Sequence, residues 1–422
     1  RQFLAAQLRA GRITFADADG RSTGKRGAVN VGFTYTGLEE IGVAADVLLT
    51  LAERAPEFGE GAAARAERRL GDTGASAPAR WDAAFADHRA HVVLAIRADS
   101  AASVQKIAAD LEAAPFAKRA FAGWDRFIDT GHLTSDSDSS TGRKVRTVHF
   151  GFRDDIARPR VEGLGTRRGS PLHAAGELLL GFDNEAGFDR WSAPAALADF
   201  FRHGSFVVLR RIEQDERAFR GYLDAQVQRL SPMHWQVDAE YLKAKMCGRW
   251  ANGARVVPGH TRQQQASAVD DDFDFGDDRE GHGCPFGAHI RRTNPRADAV
   301  VPQRPRVLFR RGMPYGPAYD ANEPAGVERG LLGVFCCASI EDQFEFVMGQ
   351  WVEANPIGTA IQGHPKDPLI GHHDDPGARF HVPLPGSLGL WLDGFAPFVR
   401  TRGTLYTLFP SRAALEAIAG VD

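Results

Sequence analysis

The sequence predicts an α+β fold, built as two units in series that each place helices on one face of an antiparallel sheet. Three observations predict it. Short apolar runs with strand character are followed by stretches whose apolar residues recur at helical spacing. That rhythm fills the first half of the chain and starts again in the second. The connections include hairpin-like returns rather than only crossovers. At 422 residues the chain has room for two domains of roughly 200 residues each. The boundary is expected between Asp189 and Ser205, giving an N-terminal domain over 1–195 and a C-terminal domain over 196–422.

The elements follow in order. Val31 to Tyr35 reads as a strand and Gly37 to Ala52 as a helix. His91 to Ala98 is a second strand, after which Ser103 is expected to cap a helix with Val104, Ile107, Ala108 and Leu111 on its apolar stripe. Lys144 to Phe150 is a third strand. In the second half Ser205 to Glu213 is a strand and Glu216 to Gln228 a helix. Leu332 to Ser339 is another strand, Ile340 to Ala354 a helix and Thr404 to Phe409 a last strand. Thr134 to Arg143, Ala266 to Gly281 and Gly371 to Gly377 are acidic or histidine-bearing stretches read as solvated loops. None has the register of a calcium-binding EF-hand.

Composition excludes several classes. With 51 basic and 54 acidic residues the net charge is −3, so nothing favours nucleic acid or an anionic membrane surface as partner. No apolar run approaches the roughly 20 residues that cross a bilayer. The four cysteines, Cys247, Cys284, Cys336 and Cys337, have neither disulfide-framework spacing nor that of a tetrahedral zinc site. The chain opens on Arg1 with no methionine and no leader pattern, which suggests a natural start further upstream. The compartment is not legible.

Three stretches carry the chemistry. His149-Phe150-Gly151-Phe152-Arg153-Asp154-Asp155-Ile156-Ala157-Arg158-Pro159 puts two carboxylates on a turn after a strand, where side chains face cavities. Cys284-Pro285-Phe286-Gly287-Ala288-His289-Ile290-Arg291-Arg292 places a lone histidine among apolar and basic residues. Val307-Leu308-Phe309-Arg310-Arg311-Gly312-Met313-Pro314-Tyr315-Gly316 ends an apolar strand in two arginines.

Together these resemble the dye-decolorising peroxidase family of haem peroxidases. The first is similar to that family's GxxDG motif, the second to its proximal-histidine segment and the third to its distal-arginine segment. Further similarities lie at Gly176 to Gly181, Glu213-Gln214-Asp215, Ser339 to Phe346 and Lys366-Asp367-Pro368-Leu369-Ile370-Gly371. The resemblance implies two ferredoxin-like halves forming the so-called dimeric α+β barrel, with haem b (iron protoporphyrin IX) held mainly by the C-terminal half.

It also implies roles. His289 would ligate iron, since a haem brings its own equatorial nitrogens and needs one imidazole from the protein. Asp154, with Asp155 as the less favoured neighbour, would exchange protons with peroxide. Arg310, with Arg311 less favoured, would stabilise charge on the departing oxygen and meet a haem propionate. Arg292 is expected on a propionate, while Arg291 and Arg296 could equally face solvent. Asp367 would hydrogen-bond His289, with Glu345 as fallback. Trp351 and Tyr406 are candidates to pass electrons to bulky donors, though packing is the simpler role for each.

The implied reaction uses hydrogen peroxide to oxidise a small organic reductant, such as a dye or phenol, through a ferryl haem. A possible homo-oligomer is part of the same expectation. One residue departs from the family pattern: Asp155 stands where the motif ends in glycine. Two other readings compete. Cys284 could bind iron as thiolate, or the protein could carry haem or release its iron with little peroxidase activity.

Overall fold

The computed structural model of the protein describes residues 1–15, 27–86, 89–120, 131, 134–137, 144–157, 159–164, 171–232, 237–259, 271, 273–296, 306–354, 366–375 and 377–421. Its strands are β1 (Ala28–Phe33), β2 (Val92–Arg97), β3 (Thr134–Ser137), β4 (Lys144–Thr147), β5 (Arg160–Val161), β6 (Leu172–His173), β7 (Ser205–Gln214), β8 (Phe309–Tyr315), β9 (Gly330–Cys337), β10 (Arg379–Val382), β11 (Leu390–Asp393) and β12 (Val399–Phe409). A six-stranded sheet runs in the order β2-β1-β12-β7-β9-β8, and every pairing in it is antiparallel. β3 pairs with β4 and β10 with β11, both antiparallel. Among the described residues only the short β5–β6 pair is parallel. The α+β class and the antiparallel sheet are as the sequence predicts.

The centre of the sheet is β7 against β12, in register from Val399 opposite Gln214 to Phe409 opposite Ser205. The register slips between Thr401 and Gly403, a bulge that bends the strand. Gly403 is required there, because a Cβ would lie 2.1 Å from the Phe85 ring.

Local structure corrects several boundaries. The stretch Gly37 to Ala52 is two helices, Tyr35–Glu40 and Ala45–Arg54. Between them Gly42 takes φ of +75°, which ends the first helix in a way that suits glycine. The helix after β2 spans Ala101–Glu112, and its cap is Ser100, whose hydroxyl accepts from the Ser103 N–H at 3.1 Å. The third predicted strand stops at Thr147, because Gly151 N–H donates to the Val148 carbonyl at 2.7 Å and closes a turn. Thr134 to Ser137 is strand β3 rather than loop, while 138–143 lie outside the described residues. Ile340 to Ala354 does wind as helix over most of its length, in the wide π form over Ile340–Glu345 and Val347–Val352.

Two large apolar cores result. One joins Phe33, Leu51, Phe58, Phe206, Phe344, Tyr406, Leu408 and Leu415 between the sheet and the helices over it. The other joins Phe150, Phe152, Phe219, Leu242, Met246, Leu369, Phe398 and Val399, with Ile290 and Ile370 packed against it. Each such side chain contributes about 1.5–3 kcal/mol on burial. The second core gathers, from three distant parts of the sequence, the stretches that flank Asp154, His289 and Asp367.

Candidate active site

His289 opens a short helix, His289–Thr293, after Ala288 in extended conformation. Its Nδ1 donates to Asp367 Oδ2 at 2.8 Å. Asp367 is wholly buried. Its Oδ1 accepts from the Leu369 and Ile370 N–H groups at 2.9 and 3.2 Å, and its backbone carbonyl accepts from His373 Nε2 at 2.8 Å. Burial alone would raise this carboxyl. The charge and hydrogen bond of His289, the charge of Arg292 and the Leu369 N–H outweigh burial and hold it below the ordinary aspartate range. The carboxylate therefore stays ionised and accepts the Nδ1 hydrogen bond, which fixes the ring and turns Nε2 away from it. Nε2 has no hydrogen-bond partner among the described residues.

Asp154 is anchored to β4. Its backbone N–H donates to the Arg146 carbonyl on β4 at 2.8 Å. The turn is pinned by Phe150 and Phe152, and Phe150 stacks on Phe219 at 4.5 Å between centroids. The Asp154 carboxylate has no hydrogen bond or ion pair among the described residues. Burial raises its pKa above the usual aspartate value, against the pull of Arg310, Arg311 and Arg146. Arg310 projects from β8, where it pairs with Phe335 of β9, and it too lacks a partner among the described residues. Both Asp367 and Arg310 act electrostatically on the buried Cys247 thiol, whose pKa burial pushes up to about 11.

Asp155 differs from Asp154. It takes φ of +65°, the left-handed conformation the motif glycine would adopt. Its carboxylate accepts from Arg311 Nη1 at 3.0 Å and Arg146 Nη1 at 3.2 Å. Of the two adjacent carboxylates, Asp154 is the one left available.

Arg292 donates from Nε to the Trp351 carbonyl at 2.5 Å and from Nη2 to the Ala354 carbonyl at 2.7 Å. This ties the histidine helix to the helix behind it. Other expectations are corrected. Arg291 does not face solvent. It is fully buried, bonded to Asp278 and the Cys284 carbonyl and stacked on Phe275 and Phe286. Arg296 is likewise engaged, by Asp271 and the Phe273 ring. The acidic stretch 266–281 is not simply solvated: Asp271 and Asp278 are buried ion-pair partners of these arginines and of Arg249, and 266–270 and 272 lie outside the described residues. His372 and His373 in 371–377 are buried.

Glu345 is not beside His289. It forms a two-pronged pair with Arg65, both contacts 2.6 Å, and accepts from the Tyr406 hydroxyl at 2.9 Å. Trp351 and Tyr406 are buried rather than at the surface. Burial raises the Cys284 thiol to about 12, so it remains protonated and is a poor thiolate donor. His373, the support beneath Asp367, was missed by sequence reasoning. Its one signal was its nearness to Lys366-Asp367-Pro368.

The donor set fits a group that supplies its own equatorial ligands. A single imidazole nitrogen is presented, and no cluster of three histidine, cysteine or carboxylate side chains able to hold a bare ion exists among the described residues.

Comparison with known proteins agrees. Residues 11–122 match the family model described as the DyP dimeric alpha+beta barrel domain. The dye-decolorizing peroxidase msp1 of Mycetinis scorodonius is 28% identical over 427 residues, covering 93% of this chain and 77% of that protein. A dye-decolorizing peroxidase of Exidia glandulosa is 29% identical over 405 residues, covering 92% and 75%. The solved structure of a dye-decolorizing peroxidase in complex with 2,6-dimethoxyphenol superposes with a TM-score of 0.76 at 26% identity, covering 99% of this chain and 93% of the other.

Proposed function

The chain belongs to the dye-decolorising peroxidase family, and on that premise we propose that His289, Asp367, Asp154 and Arg310 form the working site of a peroxidase acting on dyes and phenols. The observation that carries this reading is the His289 Nδ1–Asp367 bond with Nε2 left over. Haem b, bound through iron to that nitrogen, would supply the two-electron reduction of peroxide and then draw electrons from the donor. The described residues contain no helix long and apolar enough to cross a membrane.

The protein's share is proton movement and electrostatics. The Asp154 carboxylate takes one proton from hydrogen peroxide and delivers it to the departing oxygen, which leaves as water. It can accept that proton only when ionised, so the rate falls as pH drops through its raised pKa. The Arg310 guanidinium stabilises negative charge on the departing oxygen and stays protonated throughout. Asp367 makes the imidazole a stronger electron donor and fixes its orientation. The division into ferredoxin-like halves over 1–195 and 196–422 belongs to the same reading, with Asp154 in the first and His289 and Arg310 in the second.

Absorption spectra of the pigmented protein, taken before and after stoichiometric peroxide, test the assignment. An imidazole-type ferrous–CO spectrum and a rapid change on adding peroxide are expected. A thiolate-type spectrum would remove His289 as ligand, and an unresponsive pigment would favour a haem-carrying or iron-releasing protein instead.

A further inference from the structure

We propose that Asp155 is a positioning residue that detains the guanidinia of Arg146 and Arg311, so that the neighbouring Asp154 carboxylate stays free to exchange protons. This rests on the reading of Asp154 given above. The distal face carries three arginines, Arg146 on β4 and Arg310 and Arg311 on β8, and all three act on Asp154. An arginine beside an uncommitted carboxylate forms a strong forked pair, which would occupy the lone pairs that a proton from peroxide must use. Asp154 nonetheless has no such pair.

The reason lies one residue on. Asp155 is mostly out of water, with its side chain 15% exposed, and each of its oxygens receives one of the two surplus guanidinia. Arg310 is then the arginine left to Asp154. The arrangement uses the left-handed turn at Asp155, which aims its side chain away from that of its neighbour. The left-handed backbone strains a residue with a Cβ, aspartate less than most, and the two ion pairs offset that strain.

Two other described charged groups near the turn have their own partners. Lys243, near Gly151, is paired with Glu240 and lies over the Phe152 ring. Arg153 reaches the Asn252 carbonyl at 3.5 Å.

Asp155→Asn keeps the shape and removes the charge. Three variants, Asp155→Asn, Asp155→Asn with Arg311→Leu, and Asp154→Asn, are compared with the natural protein in two measurements. One is the stopped-flow rate with stoichiometric hydrogen peroxide across pH. The other is carboxyl titration of the haem-free protein by NMR with 13C-labelled aspartate, Asp154 being identified by its loss in Asp154→Asn. Asp155→Asn is expected to slow the reaction about tenfold and to lower the Asp154 titration by about one pH unit as a guanidinium closes on it. Removing Arg311 as well restores the local charge balance and should bring both readings back to within about twofold. A slow Asp155→Asn that Arg311→Leu does not rescue, or a natural rate with an unmoved titration, overturns the inference. If Asp154→Asn itself reacts at the natural rate, it is the reading of Asp154 that fails.

Discussion

The two faces of the site are built on opposite principles. Beneath His289 the carboxylate that receives its hydrogen bond is itself held on several sides. Asp367 is buried, ionised and held by His289, Leu369, Ile370 and His373, and Arg292 braces the helix from behind. On the opposite face the two groups proposed to act on peroxide, Asp154 and Arg310, have no partner among the described residues. A ligand must be held in one orientation, and saturation of hydrogen bonds does that. A proton carrier must change state, and commitments to neighbours would prevent it. The side that holds is therefore expected to show itself in occupancy and stability, the side that reacts in rate.

The sharpest way to break this contrast is His289→Ala. Loss of the proposed iron ligand should abolish or greatly loosen pigment binding, read as Soret absorbance per protein after gel filtration. A fully pigmented variant would end the assignment. Asp154→Asn should next lower the rate with peroxide by about 10²–10⁴-fold while pigment content holds, and should abolish the fall in rate on the acid side. Arg310→Leu should cost about 10²–10³-fold. Because its guanidinium has no partner to lose, the midpoint of thermal unfolding should hardly move.

Asp367→Ala should do the converse and destabilise the haem-free fold by about 3 kcal/mol in denaturant titration. It strands the Leu369 and Ile370 N–H groups as well as His289. The sign of its pH dependence follows from the lowered pKa: the stabilisation is complete above the unfolded aspartate value of about 3.9, and is lost as pH falls through the lower folded value. The gap between variant and natural protein should therefore narrow in acid.

Much of this was legible in the sequence, though unevenly. The strand–helix rhythm located β2, β7, β9 and β12 because apolar periodicity records burial directly. The three motifs pointed to Asp154, His289 and Arg310, and the segment Lys366 to Gly371 pointed to Asp367, because their spacing survives in one dimension. What failed was everything decided by partners far along the chain. Asp271 and Asp278 looked like solvated acids because Arg249, Arg291 and Arg296, which bury them, are set there by the fold. The brace from Arg292 to the Trp351 and Ala354 carbonyls was not legible, because nothing local shows where that distant helix ends. Ser100 rather than Ser103 caps its helix because both are competent residues and only backbone geometry chooses between them. Motif position favoured Asp154 over Asp155, but the left-handed backbone at Asp155 and its pairs with Arg146 and Arg311 were not legible.

β12 lies between β1 and β7, yet it follows every other strand of the sheet in the chain. During synthesis the β1–β2 pair is therefore made long before the neighbour that completes it, and it must wait with one edge open. Final assembly is expected to be slow, since its decisive pairings join residues far apart in sequence. The interval before β12 arrives is when this protein is most exposed to aggregation, and when a chaperone would matter most.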